Sequence, residues 1–220
     1  MNLVFDSSSI ISLATNNLLE TLRELKKQFK GDFVIPDIVK KELIETPLKG
    51  KKYKLGAIVI QDLVNDGILK ISKCEKELYL LDLTNKIFVN KGEEIKIIQA
   101  GETGTLLLSD ENNIAVIDER TTRMLIEDPL NLRQLLENKL HSKVHINHEN
   151  LNKFKEQTKN IKIIRSTELM TVAFEKGLFN DLFTKNLKKE FLDGLLWGLK
   201  LRGCAISSDE INQILKLEGF

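Results

Sequence analysis

Through the first half of the chain, short apolar runs alternate with longer segments whose apolar residues recur at three- and four-residue spacing. Runs of the first kind read as strands, and segments of the second kind as amphipathic helices. The expected strands are Leu3–Phe5, Phe33–Ile35, Leu69–Ile71 and Ala115–Ile117. The expected helices are Leu18–Phe29, Ile38–Glu45, Ala57–Asn65, Glu75–Val89 and Glu102–Ser109. Such alternation predicts an α/β domain around a mostly parallel sheet. Pro36 suits a helix start, where a missing amide donor costs nothing. Gly50 and Gly56 mark a break, and Asn112-Asn113 closes the helix before the fourth strand.

Past Glu127 the texture changes. Residues 128–160 are rich in Asn, Lys, Glu and His with few large apolar residues at regular spacing, which predicts an inserted, partly solvated helical segment. Beyond it, Lys162–Ile164 reads as a fifth strand, and Glu168–Glu175, Asn186–Leu201 and Ser208–Leu217 as amphipathic helices. Gly203 and Ser208 supply a helix stop and a helix start. The expected organisation is a core at 1–127, an insertion at 128–160, and a strand with helices at 161–220 that completes or extends the core. There is no internal repeat.

At 220 residues and 42% hydrophobic content the chain can bury a full core. Lys plus Arg number 33 against 32 Asp plus Glu, so the net charge of +1 gives no whole-molecule field toward nucleic acid, and any phosphate binding must be local. Cys74 and Cys204 are the only cysteines, too few for a disulfide framework and without metal-ligand spacing. The amino terminus has no basic region leading into a long apolar stretch, and no apolar run is long enough for a membrane span. The expectation is a cytoplasmic protein with no membrane association.

Four acids recur where strands end or helices begin. Asp6 follows the first strand, Glu42 lies in the helix after the second, Glu102 opens a helix, and Asp118 follows the fourth strand. Each has a plain structural reading: Asp6 and Asp118 as helix caps, Glu102 as a first-turn acid, Glu42 as a solvated helix residue. Together they point elsewhere. In a parallel sheet, side chains at strand carboxyl ends converge on one edge. Clustered carboxylates repel unless a cation sits among them, and a hard dication with oxygen ligands, Mg2+ or Mn2+, fits better than Zn2+. Such an ion bridges phosphate oxygens and acidifies a bound water, which is the chemistry of metal-assisted phosphodiester hydrolysis.

The set resembles the PIN-domain family of ribonucleases, which includes VapC-type toxins and RNA-processing nucleases. The residues that carry the resemblance are Asp6-x-Ser8 after the first strand, Ile35-Pro36-x-x-Val39-x-x-Glu42, Gly101-Glu102 opening an apolar helix, and Val116-Ile117-Asp118-Glu119-Arg120. It covers 1–127, and Ile163 to Leu217 resembles the carboxyl end of a prokaryotic subgroup, with Gly203-Cys-Ala-Ile-Ser207 as its turn. Residues 128–160 have no counterpart in it. The resemblance implies an α/β/α sandwich with a helical carboxyl-terminal part, and Mg2+- or Mn2+-dependent cutting of single-stranded RNA in a toxin-like or RNA-processing role. It implies Asp6, Glu42, Glu102 and Asp118 as metal-site and catalytic acids, with Ser8 as a supporting hydroxyl. It also implies an antitoxin or other protein partner and a homodimer. Thr103-Gly104-Thr105 departs from the alanine-rich run usual there, and a glycine in a helix interior costs about 1 kcal/mol relative to alanine. Gly104 either loosens that turn or lets the backbone approach a ligand.

Arg120 and Arg123 are phosphate-binding candidates, since a guanidinium pairs two oxygens at once; surface charge is the competing reading and the plainer one for Arg123. His141, His145 and His148 would share a helical face able to hold Zn2+, although a solvated or interface role suits so polar a segment better. Trp197 sits in an apolar helical stripe that reads as core, or as a dimer surface if exposed. Two other classes compete with the nuclease: a catalytically inactive PIN scaffold that binds RNA or a protein, and a phosphoacceptor receiver-like domain. The second is disfavoured because no acidic pair follows the first strand and Glu42 would have no role.

Overall fold

Leu3, Val4 and Phe5 are apolar without a break, and β1 (Asn2–Phe5) accordingly lies at the centre of a sheet covered on both faces. The computed structural model describes residues 1–220, the side chain of Lys185 aside. After β1 come α1 (Ser7–Thr15), α2 (Leu19–Gln28), β2 (Phe33–Pro36) and α3 (Asp37–Lys40). A single wide π turn, Lys41–Glu45, then joins α3 to α4 (Thr46–Lys49). Next are α5 (Lys54–Asn65), β3 (Leu69–Ser72), α6 (Glu77–Asn85), β4 (Phe88–Asn90), β5 (Glu93–Glu94) and α7 (Ala100–Leu108). The second half holds β6 (Asn113–Val116), α8 (Arg120–Glu127), α9 (Pro129–Leu140), β7 (Val144–Ile146), α10 (His148–Thr158) and β8 (Lys162–Ile164). It closes with α11 (Ser166–Glu175), α12 (Lys188–Leu201) and α13 (Ser208–Leu217).

The main sheet is ordered β3-β2-β1-β6-β8, with every neighbouring pair parallel. Leu3 faces Phe33 on one side and Ile114 on the other. From β1 the chain winds outward through β2 and β3, then returns to lay β6 and β8 on the opposite flank. The strand order reverses between β1 and β6, and in open parallel sheets the carboxyl edge at such a reversal is where ligands bind. With helices on both faces the architecture is the expected α/β/α sandwich, and the expected fifth strand is present, paired with β6.

Two apolar clusters hold it together. One joins Phe5, Ile10, Phe33, Ile35, Leu63, Met170, Leu196 and Ile211 across the sheet to α11, α12 and α13. The other joins Leu80, Phe88, Leu106, Ile117, Leu132, Val144 and Phe154, so the segment after Glu127 buries its own apolar side chains. Trp197 is partly buried against the first cluster, with Lys200 Nζ 4.6 Å from its ring centroid. Cys204 is buried, and neither cysteine forms a disulfide. No helix among the described residues is long and apolar enough to cross a membrane.

Three expectations change. The helix expected over Glu75–Val89 stops at Asn85, and Phe88–Asn90 becomes a strand because it pairs antiparallel with Val144–Ile146. The segment after Glu127, expected to be helical, therefore also contributes a strand, to a small sheet ordered β5-β4-β7. The three histidines share no helix face: His141 ends α9 in the left-handed conformation (φ 50°), His145 lies on β7, and His148 begins α10. All three are exposed, as a solvated role requires.

Candidate active site

Asp6 lies one residue past β1 and caps α1. Its Oδ2 accepts from the Ser8 amide at 3.0 Å and the Ser8 hydroxyl at 2.6 Å, and the Ser7 hydroxyl lies 3.4 Å from Oδ1. The carboxyl is fully buried, and that burial raises its pKa above the ordinary value despite the serine donors.

Glu42 stands in the wide turn. A π turn adds a residue to one helical turn and shifts the side chains after it, and such turns recur at functional sites. Leu43 and Ile44 beside it are buried, while Glu42 is half-buried and reaches α7. A Cβ built on Gly101 would meet Glu42 Oε2 at 2.8 Å, Glu42 Oε1 at 3.3 Å and Asp6 Oδ1 at 3.4 Å. Two carboxylates from separate elements thus crowd around the place where Gly101 has no side chain. Burial, with the charge of Asp6, raises the Glu42 pKa against hydrogen bonds from Ser7 and the Gly101 amide.

Gly104 has a different reason. A Cβ there would come 3.1 Å from both Pro36 Cβ and Ile38 Cγ2, so its absence lets α7 pack closely on the end of β2 and on α3. Neither a loosened turn nor ligand approach is needed to explain it.

Glu102 completes a capping box, its Oε2 accepting from the Gln99 amide at 2.9 Å. It is 8% exposed, and its pKa is pushed up to about 7 by burial first, then by the charge of Asp6, with Glu119 adding to it. Glu119 caps α8 through the Thr122 amide at 2.7 Å. Glu119 is not among the acids expected from the sequence, although it stands beside Asp118 in Asp118-Glu119.

Asp118 is at the same sheet edge, and its carboxylate is engaged by Ser166. Oδ1 accepts from the Ser166 amide at 2.7 Å and Oδ2 from the Ser166 hydroxyl at 2.6 Å, at the start of α11. Its amide donates to the Ser8 hydroxyl oxygen at 3.2 Å, and its carbonyl accepts from the Ala205 amide at 3.0 Å. Ser8 is therefore the bridge between β1 and β6: it donates to Asp6 and accepts from Asp118. Burial and the nearby Asp118 charge push the Cys204 thiol up to about 12, which keeps it an unreactive packing group.

The carbonyl of Ala205 also accepts from Arg123 Nη1 at 3.1 Å and Arg165 Nη1 at 3.0 Å. Arg165 is buried and paired with Glu168 and Glu210, and Arg123 reaches Glu127 at 3.5 Å. These two guanidiniums line a cleft of about 330 Å³ with Arg120, which is exposed at the start of α8 beside Glu119. Of the phosphate-binding candidates, Arg123 is held by its own protein, while Arg120 faces solvent.

Asp6, Glu42 and Glu102 form no ion pair among the described residues, so Asp6 and the two carboxyls that feel its charge stand without a compensating side-chain cation. No three acid, histidine or cysteine side chains among the described residues already form a tight metal-holding group. The donor set nonetheless fits a hard dication in kind: it is all oxygen, and it carries the uncompensated negative charge such an ion neutralises.

Compared with known proteins, the family model described as a PIN domain matches residues 2–129. That stretch contains Asp6, Glu42, Glu102, Asp118 and Glu119 and stops where α9 begins. No curated protein and no solved structure matches the chain.

Proposed function

We propose, from the premise that the chain belongs to the PIN-domain family, that it is a divalent-metal-dependent endoribonuclease acting on single-stranded RNA. Family membership supports nuclease-type hydrolysis in general; the metal and the RNA substrate are the proposal. The observation that carries it is the meeting of the Asp6 and Glu42 carboxylates at Gly101, with Glu102 close enough to feel the charge of Asp6.

Asp6, Glu42 and Glu102 would hold Mg2+ or Mn2+, which when bound supplies positive charge against phosphate oxygens and acidifies a water. The chain's own residues set the stage for that chemistry. Ser8 fixes the Asp6 carboxylate and ties it to the backbone of Asp118. Ser7 lies between Asp6 and Glu42 and hydrogen-bonds both. Glu102, whose carboxyl burial and the charge of Asp6 keep protonated up to about pH 7 in the metal-free chain, would release that proton as it takes up the ion. Asp118 acts through position: Ser166 occupies both its oxygens, and its amide orients Ser8. Arg120, exposed beside Glu119, would be the residue that meets a backbone phosphate. An apolar stripe of exposed Leu55, Ile58 and Val59 on α5 supports a protein partner or second copy as part of the same proposal.

The engagement of Asp118 by Ser166 and of Glu102 by Gln99 favours, as second reading, an inactive PIN scaffold. Cutting of labelled single-stranded RNA that requires Mg2+ or Mn2+ and is lost in Asp6→Asn separates the two.

A further inference from the structure

Between Glu45 and Asp62 the chain has no acid, and Lys49, Lys51, Lys52 and Lys54 fall within that stretch. All four are exposed, and none forms an ion pair among the described residues. In a molecule of net charge +1 this is a local concentration of positive charge.

Tyr53 stands among these lysines, 70% exposed, with φ 64° in the left-handed region. That conformation is costly for a bulky residue and cheap for glycine or asparagine. The ring buries too little to offset the cost, so the fold gives no reason for tyrosine here. Lys52 Nζ lies 4.7 Å from its centroid. The patch is also joined to the acid site: α3, the wide turn and α4 lead from Pro36 through Glu42 to Gly50. At 1.5 Å per residue, Lys49 lies about 10 Å from Glu42 along that path.

We infer that residues 49–54 are a landing patch for single-stranded polynucleotide, with the lysines on phosphates and the Tyr53 ring as a stacking platform for a base. Lysine contacts to a strand release counterions, and base-on-ring stacking needs no particular sequence. The inference deepens the reading of the acid site as a nuclease and rests on it for the choice of RNA. The closeness of the patch to Glu42 favours a strand feeding that site over an anionic membrane surface.

The test is fluorescence-anisotropy binding of a labelled oligouridine to the full chain in EDTA, where cutting does not occur. Lys51→Gln with Lys52→Gln is expected to weaken binding and to reduce the slope of log affinity against log salt by about 0.7 per lysine. Tyr53→Gly is expected to weaken binding by about tenfold. Because glycine prefers the left-handed backbone, Tyr53→Gly should not lower the melting temperature, so weaker binding cannot be ascribed to unfolding. Variants that bind like the wild type overturn the inference, as does a wild type that binds no oligouridine or binds only phosphatidylserine vesicles. A wild type that binds through the patch yet cuts no RNA with Mg2+ or Mn2+ sinks the nuclease reading and leaves the patch standing. Cutting with unchanged binding in the variants does the reverse.

Discussion

Gly101 has no side chain where the carboxylate of Glu42 stands: a Cβ there would lie 2.8 Å from Oε2. Gly101→Ala should therefore displace Glu42 from Asp6 while leaving α7 helical, since alanine favours a helix interior by about 1 kcal/mol over glycine. The expected outcome is a folded protein whose melting temperature no longer rises with Mn2+. A Mn2+ shift equal to that of the wild type would show that the pocket at Gly101 is not where the ion binds.

Asp118 and Glu42 should separate in stability. Asp118→Ala leaves the buried Ser166 amide and hydroxyl without their acceptor, at a cost of about 1–3 kcal/mol for each unsatisfied group. Glu42→Gln removes a like charge beside Asp6 and should leave metal-free stability unchanged or slightly higher. Urea denaturation of the two variants in EDTA reads the difference. Equal destabilisation would overturn the assignment of Asp118 to positioning.

Metal-free protein should lose stability as pH rises from 4.5 toward 7. Glu102 has its pKa pushed up from 4.5 to about 7, so across that window the folded chain holds a proton that the unfolded chain has released. The stability lost is on the order of 3 kcal/mol, complete above pH 7 and absent below 4.5. Asp6 and Glu42 are raised by burial in the same direction. Because the ion needs deprotonated carboxyls, Mn2+ should raise the melting temperature more at pH 8 than at pH 6. Thermal melts in EDTA that are flat over this range in the wild type, or that fall as steeply in Glu102→Gln as in the wild type, would contradict the account.

The parts legible from local pattern were those fixed by local pattern. Leu3–Phe5 and Phe33–Ile35 are legible to within a residue or two because interior parallel strands are continuous apolar runs, and the edge strands at Leu69–Ile71 and Lys162–Ile164 are legible only as short apolar stretches between breaks. The helix expected over Glu75–Val89 overshoots Asn85 because Ile87, Phe88 and Val89 prolong an apolar spacing. Their strand partner, Val144–Ile146, lies more than fifty residues away. The wide turn at Glu42 leaves no mark in sequence, since a π turn is built of residues that favour an ordinary helix. Strand ends and helix starts were enough to bring Asp6, Glu42 and Glu102 toward one edge. Nothing local to Asp118 indicates Ser166, 48 residues on, which donates to both of its carboxylate oxygens. Glu119 was visible beside it, but only the fold shows which of the pair bears on Glu102.

The most direct test of the acid site as a catalytic metal centre is cleavage of labelled single-stranded RNA by the purified chain. It is run with Mn2+ or Mg2+, against EDTA, alongside Asp6→Asn and Glu42→Gln proteins of confirmed fold. The account predicts cutting that requires the ion and falls by at least about a hundredfold in each variant, the scale of losing a group that stabilises developing charge. Cutting that persists in EDTA, or that either variant performs at the wild-type rate, would contradict it.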